Sequence, residues 1–209
     1  MRLPRRGLYA ITSAAICRDA LTLLRAVEQA IEGGAVIVQY RDKLNEAATR
    51  HRHALQLQDL CRQAGVPLIL NDGPAADVAT LQLDGMHLGE DDGALVEARR
   101  LCPDALIGAT CGQSLEKALQ AQAAGASYVA FGAFYPSATK PLAARAPLEL
   151  LGAARAQLYV PLCAIGGITP HNAAPLIAAG AHFIAAVEGV FGSADVKAAA
   201  SAYAQLFGA

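Results

Sequence analysis

Two stretches decide the fold: residues 121–132, AQAAGASYVAFG, and residues 176–187, LIAAGAHFIAAV. Each runs from an Ala-rich helix end through one Gly into a short apolar strand. Gly125 and Gly180 supply the left-handed residue that lets a helix turn straight into a strand. The shared layout is that of a repeated βα unit, and alternating β and α elements imply parallel strands.

The same pattern extends outward from these two copies. Short apolar runs predict strands over 8–12, 36–40, 68–71, 85–88, 106–110, 128–132, 162–165 and 183–187. Helical patterns lie between them. Asp19 is placed to cap a helix ending before Gly33, and Asn45 a long one ending before Gly65. Thr169 followed by Pro170 predicts a helix start that runs toward Gly180, and Ser193 a cap for the last helix. Eight units in 209 residues fit a compact α/β fold, a (β/α)₈ TIM barrel forming one domain over residues 1–209. An open doubly wound sheet is the alternative.

Hydrophobic residues make up 54% of the chain and charged residues 17%, which suits a large core and excludes a disordered chain. The net charge of -1 gives no sign of nucleic acid or an anionic membrane surface as a partner. The five cysteines form no C-x-x-C pair, which predicts a reduced cytoplasmic protein with no zinc site. "MRLPRR" before "GLYAITSAAIC" imitates a signal peptide, but Thr12 and Ser13 break the apolar run, and "GLYAIT" reads as a first core strand. No apolar run reaches the roughly 18–20 residues of a membrane span.

Residues 36–43, VIVQYRDK, begin as a buried strand and then place Gln39, Arg41 and Lys43 at every second position, on one face. In a barrel the chemistry sits at such C-terminal strand ends. Asn71 and Asp72 follow the third strand, and Glu90, Asp91 and Asp92 the fourth. Thr110 and Cys111 close the fifth, Ser137, Thr139 and Lys140 follow the sixth, and Gly166 and Gly167 the seventh. Three cations, Arg41, Lys43 and Lys140, suit a highly charged anion. Asp72 and Asp92 are hard oxygen ligands of the kind Mg²⁺ takes together with phosphate oxygens. A Gly-Gly turn before a helix exposes N–H groups for a second phosphate. His51 and His53 fall on an expected solvated helix face, and His87 reads as a core histidine with no role as a base.

"GLYAIT", "VQYRDK", "LILND", "GMHLGEDD", "YPSATK" and "AIGGIT" stand in the order seen in thiamine phosphate synthases, which this chain resembles over nearly its whole length. The resemblance implies a (β/α)₈ barrel that joins a hydroxymethylpyrimidine diphosphate to a hydroxyethylthiazole phosphate, with Mg²⁺. It places Gln39, Arg41 and Lys43, with the intervening Tyr40 and Asp42, on the pyrimidine diphosphate, together with Asn71 and Lys140. Asp72 and Asp92 become the metal ligands, Asp92 by its spacing of five from His87. Thr110 falls near the pyrimidine, where relatives usually carry Ser. Ser137, Ala138, Thr139, Gly167, Val187 and Glu188 fall on the thiazole phosphate side. Arg41, Lys43 and Lys140 would stabilise the departing pyrophosphate, and the thiazole nitrogen needs no base. Glu90 stands where a Gln is common, Glu188 where Ser is usual, and Gly112 where many relatives have His. The last speaks against the related thiazole tautomerase. An isomerase or lyase on a phosphosugar-like substrate and a non-catalytic phosphate sensor are the other readings. Glu188 is expected at the end of the eighth strand with its side chain turned from the phosphate.

Overall fold

A computed structural model describes residues 2–89, 92–136 and 144–208, with the backbone alone over 92–94. Eight parallel strands close into a barrel in sequence order. They are β1 Gly7–Ile11, β2 Ala35–Tyr40, β3 Leu68–Asn71, β4 Gly85–Leu88, β5 Leu106–Gly112, β6 Tyr128–Phe131, β7 Leu162–Ile165 and β8 Phe183–Ala186. Leu8 pairs Ile184 across the β1–β8 closure.

Strand periodicity divides the apolar residues between two layers. Tyr9, Ile11, Ile37, Ile69, Tyr128, Cys163, Phe183 and Ala185 fill the barrel. Their neighbours Leu8, Ala10, Val38, Leu68, Val129 and Ile184 pack outward under the helices. Strands buried on both faces explain why each reads as a continuous apolar run rather than an alternation. None of the five cysteines is in a disulfide, and all are buried in these layers.

The helices are α1 Ala20–Glu32, α2 Ala47–Ala64, α3 Ala75–Thr80, α4 Asp92–Leu101, α5 Leu115–Ala123, α6 Glu149–Gln157, α7 Ala174–Ala178, α8 Glu188–Phe191 and α9 Val196–Ala204. Asp19 caps α1 by accepting from Thr22 N, as its sequence position predicts. Gly125 and Gly180 take φ of 94° and 113°, the left-handed turn expected of them. Among the described residues no helix is long and apolar enough to cross a membrane.

Three expected helix starts are corrected. Asn45 does not cap α2, because its side chain donates to Asp42 Oδ2 and the Cys17 carbonyl instead. Thr169-Pro170 begins a turn, with Asn172 Oδ1 taking the Thr169 N–H, and α7 starts only at Ala174. Asp195, not Ser193, caps the last helix. Glu188 opens the short α8 instead of ending β8. His53 is buried, not solvated, and its Nδ1 lies 3.3 Å from Tyr40 Oη.

Candidate functional site

The C-terminal ends of the strands surround a cavity of about 760 Å³. It gathers Gln39 and Arg41 from the end of β2, Asn71 from β3, His87 from β4, Thr110 from β5, Gly167 from beyond β7, and Val187 and Glu188 from beyond β8. Seven of the residues assigned to the substrates from the sequence thus meet there: Gln39, Arg41, Asn71, Thr110, Gly167, Val187 and Glu188.

Arg41 is fixed by its backbone. Its N–H donates to Thr12 Oγ1 at 2.8 Å, and Thr12 Oγ1 donates to its carbonyl at 3.0 Å. Thr12 is fully buried, so one side chain ties the loop after β1 to the loop after β2. Asp42, next in the chain, turns inward away from the cavity. It accepts from Tyr40 Oη, Leu44 N, Asn45 N and Asn45 Nδ2. Burial alone would raise its carboxyl, but the Asn45, Leu44 and Tyr40 donors hold it below the ordinary carboxylate range. Tyr40 packs between strands and helices. The structure therefore puts Tyr40 and Asp42 behind the site, against the expectation that they line it.

Lys43 and Asp72 meet at the rim, Nζ to Oδ2 at 3.0 Å, each about half exposed. Neither lines the large cavity. Asp72 has a left-handed φ of 48° and follows Asn71, which does. Partial burial pushes its carboxyl up, while the Lys43 ammonium and Asn71 pull it below the ordinary range. Asp92 is the first residue of α4, whose side chain lies outside the described residues. Glu90, Asp91, Ser137, Ala138, Thr139 and Lys140 also lie outside them.

On the far side, the loop after β7 presses on the loop after β6. Tyr135 N donates to Gly166 O at 2.9 Å. Gly167 has φ of 62°, and a Cβ there would overlap backbone atoms of Tyr135 and Pro136. Glu188 is exposed, and its Oε2 would stand 2.8 Å from a Cβ placed on Gly192. The carboxylate thus folds along α8 toward Gly192.

Sequence reasoning missed the cavity floor. Gln39 Nε2 donates to Tyr9 Oη at 2.8 Å, and Tyr9 Oη lies 2.6 Å from Tyr128 Oη. Tyr128 Oη lies 3.0 Å from His87 Nδ1, and His87 Nε2 2.9 Å from Thr110 Oγ1. Burial raises both phenols far above their ordinary range, so each keeps its proton. His87 is the buried, bonded histidine expected, but it also faces the cavity. The available signal was that a buried Tyr needs a partner for its hydroxyl. Lys117, on the first turn of α5, also lines the cavity and was not singled out.

The family model described as thiamine monophosphate synthase matches residues 8–190. The thiamine-phosphate synthase of Methylococcus capsulatus is 52% identical over 205 residues, 98% of this chain and 90% of its own length. That of Aromatoleum aromaticum is 51% identical over 98% of this chain and 97% of its own. Among solved structures, the thiamine phosphate pyrophosphorylase from Pyrococcus furiosus is 29% identical and superposes with a TM-score of 0.86, covering 97% of this chain and 95% of that one. A 3-hexulose-6-phosphate synthase, 15% identical at a TM-score of 0.71, shares the fold alone. Motif order, closed barrel and whole-length similarity agree: the chain belongs to the thiamine monophosphate synthase family.

Proposed function

We propose that this protein joins hydroxymethylpyrimidine diphosphate to hydroxyethylthiazole phosphate, giving thiamine phosphate and pyrophosphate. The observation that carries the reading is the single cavity shared by two sets of groups. Gln39, Arg41, Asn71 and Thr110 stand on one side of it, and Gly167, Val187 and Glu188 on the other. Two substrates held in one enclosed space react with a large entropic advantage over free solutes.

The bond from the pyrimidine methylene carbon to the diphosphate oxygen breaks, and the electron pair leaves with pyrophosphate. The thiazole nitrogen lone pair then forms the new carbon–nitrogen bond, so no base is needed. Arg41 would hold the growing negative charge together with Lys43 and Lys140. Its backbone clamp by Thr12 supports that role by anchoring the root of the side chain at the cavity edge. Gln39, Asn71 and Thr110 would orient the pyrimidine. Backbone N–H groups of Gly167, Glu188 and Gly189 would receive the thiazole phosphate, with Ser137, Ala138 and Thr139.

Asp72 fits a hard divalent cation. It is ionised, partly exposed and next to Asn71 at the cavity edge. No group of three or more His, Cys, Asp and Glu side chains is poised for a metal among the described residues, and Mg²⁺ bound with substrate phosphates requires only one or two carboxylates. Asp72 and Asp92 would hold it, and bound Mg²⁺ would neutralise diphosphate charge. Gly112 lines the cavity with φ of 55° and brings no side chain, which argues against a tautomerase that needs an acid–base group there.

The test is to mix both thiamine precursors, Mg²⁺ and the protein, and to measure thiamine phosphate and pyrophosphate. Stoichiometric appearance of both is expected, and absence of turnover refutes the reading. Asp72→Ala should lower the rate ~10²-fold or more at saturating substrates.

A further inference from the structure

The chain of hydrogen bonds under the cavity has a direction that proton counting reveals. A phenol or hydroxyl has one proton to give, and a neutral imidazole has one N–H. Gln39 Nε2 already donates to Tyr9 Oη, so the Tyr9 proton has one acceptor in reach, Tyr128 Oη. The Tyr128 proton then goes to His87 Nδ1. The imidazole proton is left on Nε2 and points at Thr110 Oγ1. The Thr110 proton is free to point into the cavity, which Thr110 lines. The reverse direction would have Nδ1–H donate to Tyr128 and Tyr128 to Tyr9. With Gln39 Nε2 facing Tyr9, that strands the Tyr9 proton against another donor, with Tyr9 1% and Tyr128 0% exposed. A buried hydroxyl proton without an acceptor bears its full desolvation penalty.

We infer that Tyr9, Tyr128 and His87 are positioning residues that form a one-way relay, fixing Thr110 as hydrogen-bond donor and the Gln39 Oε1 as acceptor toward whatever the cavity holds. Gly108 supports this independently. Its backbone is not left-handed, yet a Cβ there would overlap the Tyr128 ring end and crowd His87 Nδ1. The bare position on β5 leaves the room in which the Tyr128–His87 bond forms.

The relay sets a chemical class of ring. At the Gln39 end the ligand must offer a donor, and at the Thr110 end an acceptor. An aminopyrimidine carries both, an amino group and acceptor ring nitrogens. Replacing its amino group by an oxo group turns that donor into an acceptor, opposed to Gln39 Oε1. This last step rests on the proposed synthase activity, whereas the relay does not.

Nitrogen NMR of the histidine-labelled full-length protein at mildly alkaline pH tests the relay directly, with His87→Gln identifying the signal. The expected result is a proton on Nε2 alone, with Nδ1 shifted as a hydrogen-bond acceptor. In Tyr128→Phe the Nδ1 signal should move to that of an unbonded ring nitrogen. A proton on Nδ1, or on both nitrogens, in the unmutated protein overturns the relay, and that measurement requires no variant to fold. Calorimetric titration with the aminopyrimidine diphosphate and its oxo counterpart tests the selectivity. The unmutated protein should prefer the amino compound at least about tenfold, and Tyr9→Phe and Tyr128→Phe should reduce that ratio. An undiminished ratio in both variants overturns the specificity role. If the unmutated protein binds neither compound, the synthase reading falls, while the His87 tautomer still decides the relay.

Discussion

Asp42 receives four hydrogen bonds on a carboxylate that is 6% exposed. Removing it orphans the Leu44 and Asn45 donors behind Arg41, so Asp42→Ala should lower stability by about 2–4 kcal/mol in urea unfolding. The pH dependence has a definite sign. The folded-state carboxyl lies below its ordinary value, so its stabilisation is complete above the ordinary carboxyl range and is lost as pH falls through the folded-state value. The gap between unmutated protein and Asp42→Ala should therefore close on acidification. Glu188 gives the opposite expectation. Its carboxylate lies over Gly192, exposed, so Glu188→Ser should change thiazole phosphate affinity by under ~1 kcal/mol. A tenfold gain in calorimetric titration would mean that the carboxylate swings toward the phosphate. The sequence alternation of Gln39 and Arg41 made their common face readable. It could not reveal that Asp42 is consumed by its own loop, because that depends on Asn45 folding back.

The strands were legible element by element, since a strand buried on both faces is an apolar run bounded by Gly or polar residues. Helix starts were less so. Asn45 and Thr169 are sound capping residue types, but a carboxylate and an amide nearby offer their groups closer partners. Two left-handed glycines show how loops differ in what they tolerate. Gly65, at the end of α2, has φ of 70° and open space around an added Cβ. Gly65→Ala should lower stability by only about 1 kcal/mol and leave turnover intact. Gly167 has a similar φ but stands against the Tyr135 and Pro136 backbone. Gly167→Ala must push the loops after β6 and β7 apart, and thiazole phosphate KM should rise at least ~10-fold as those loops part. Thermal unfolding and steady-state kinetics on the pair separate backbone strain from displaced contacts.

Across the whole molecule, barrel closure makes partners of residues far apart in the chain. Tyr9 and Tyr128 touch across 119 positions, and nothing in either local sequence announces it. The barrel class was readable from eight repeating units, whereas its floor was not, because cross-barrel pairing depends on register around the whole ring. Closure also has a consequence for chemical access. The five thiols are distributed around the ring, in the segment before α1, in α2, after α4, in β5 and in β7, and all are buried. Burial lifts Cys17 to about 11 and Cys61 to about 12, so little thiolate forms in the folded barrel. An alkylating reagent can therefore mark this protein only during excursions from the native barrel. Mass-resolved alkylation in native buffer should proceed over the unfolding time, and rapid labelling of folded protein would contradict the burial. Cys111 and Cys163 border the cavity on β5 and β7, so bound substrates, by holding those strands in place, should slow their labelling most. Each sulfur becomes a timestamped witness to which staves of the barrel part first.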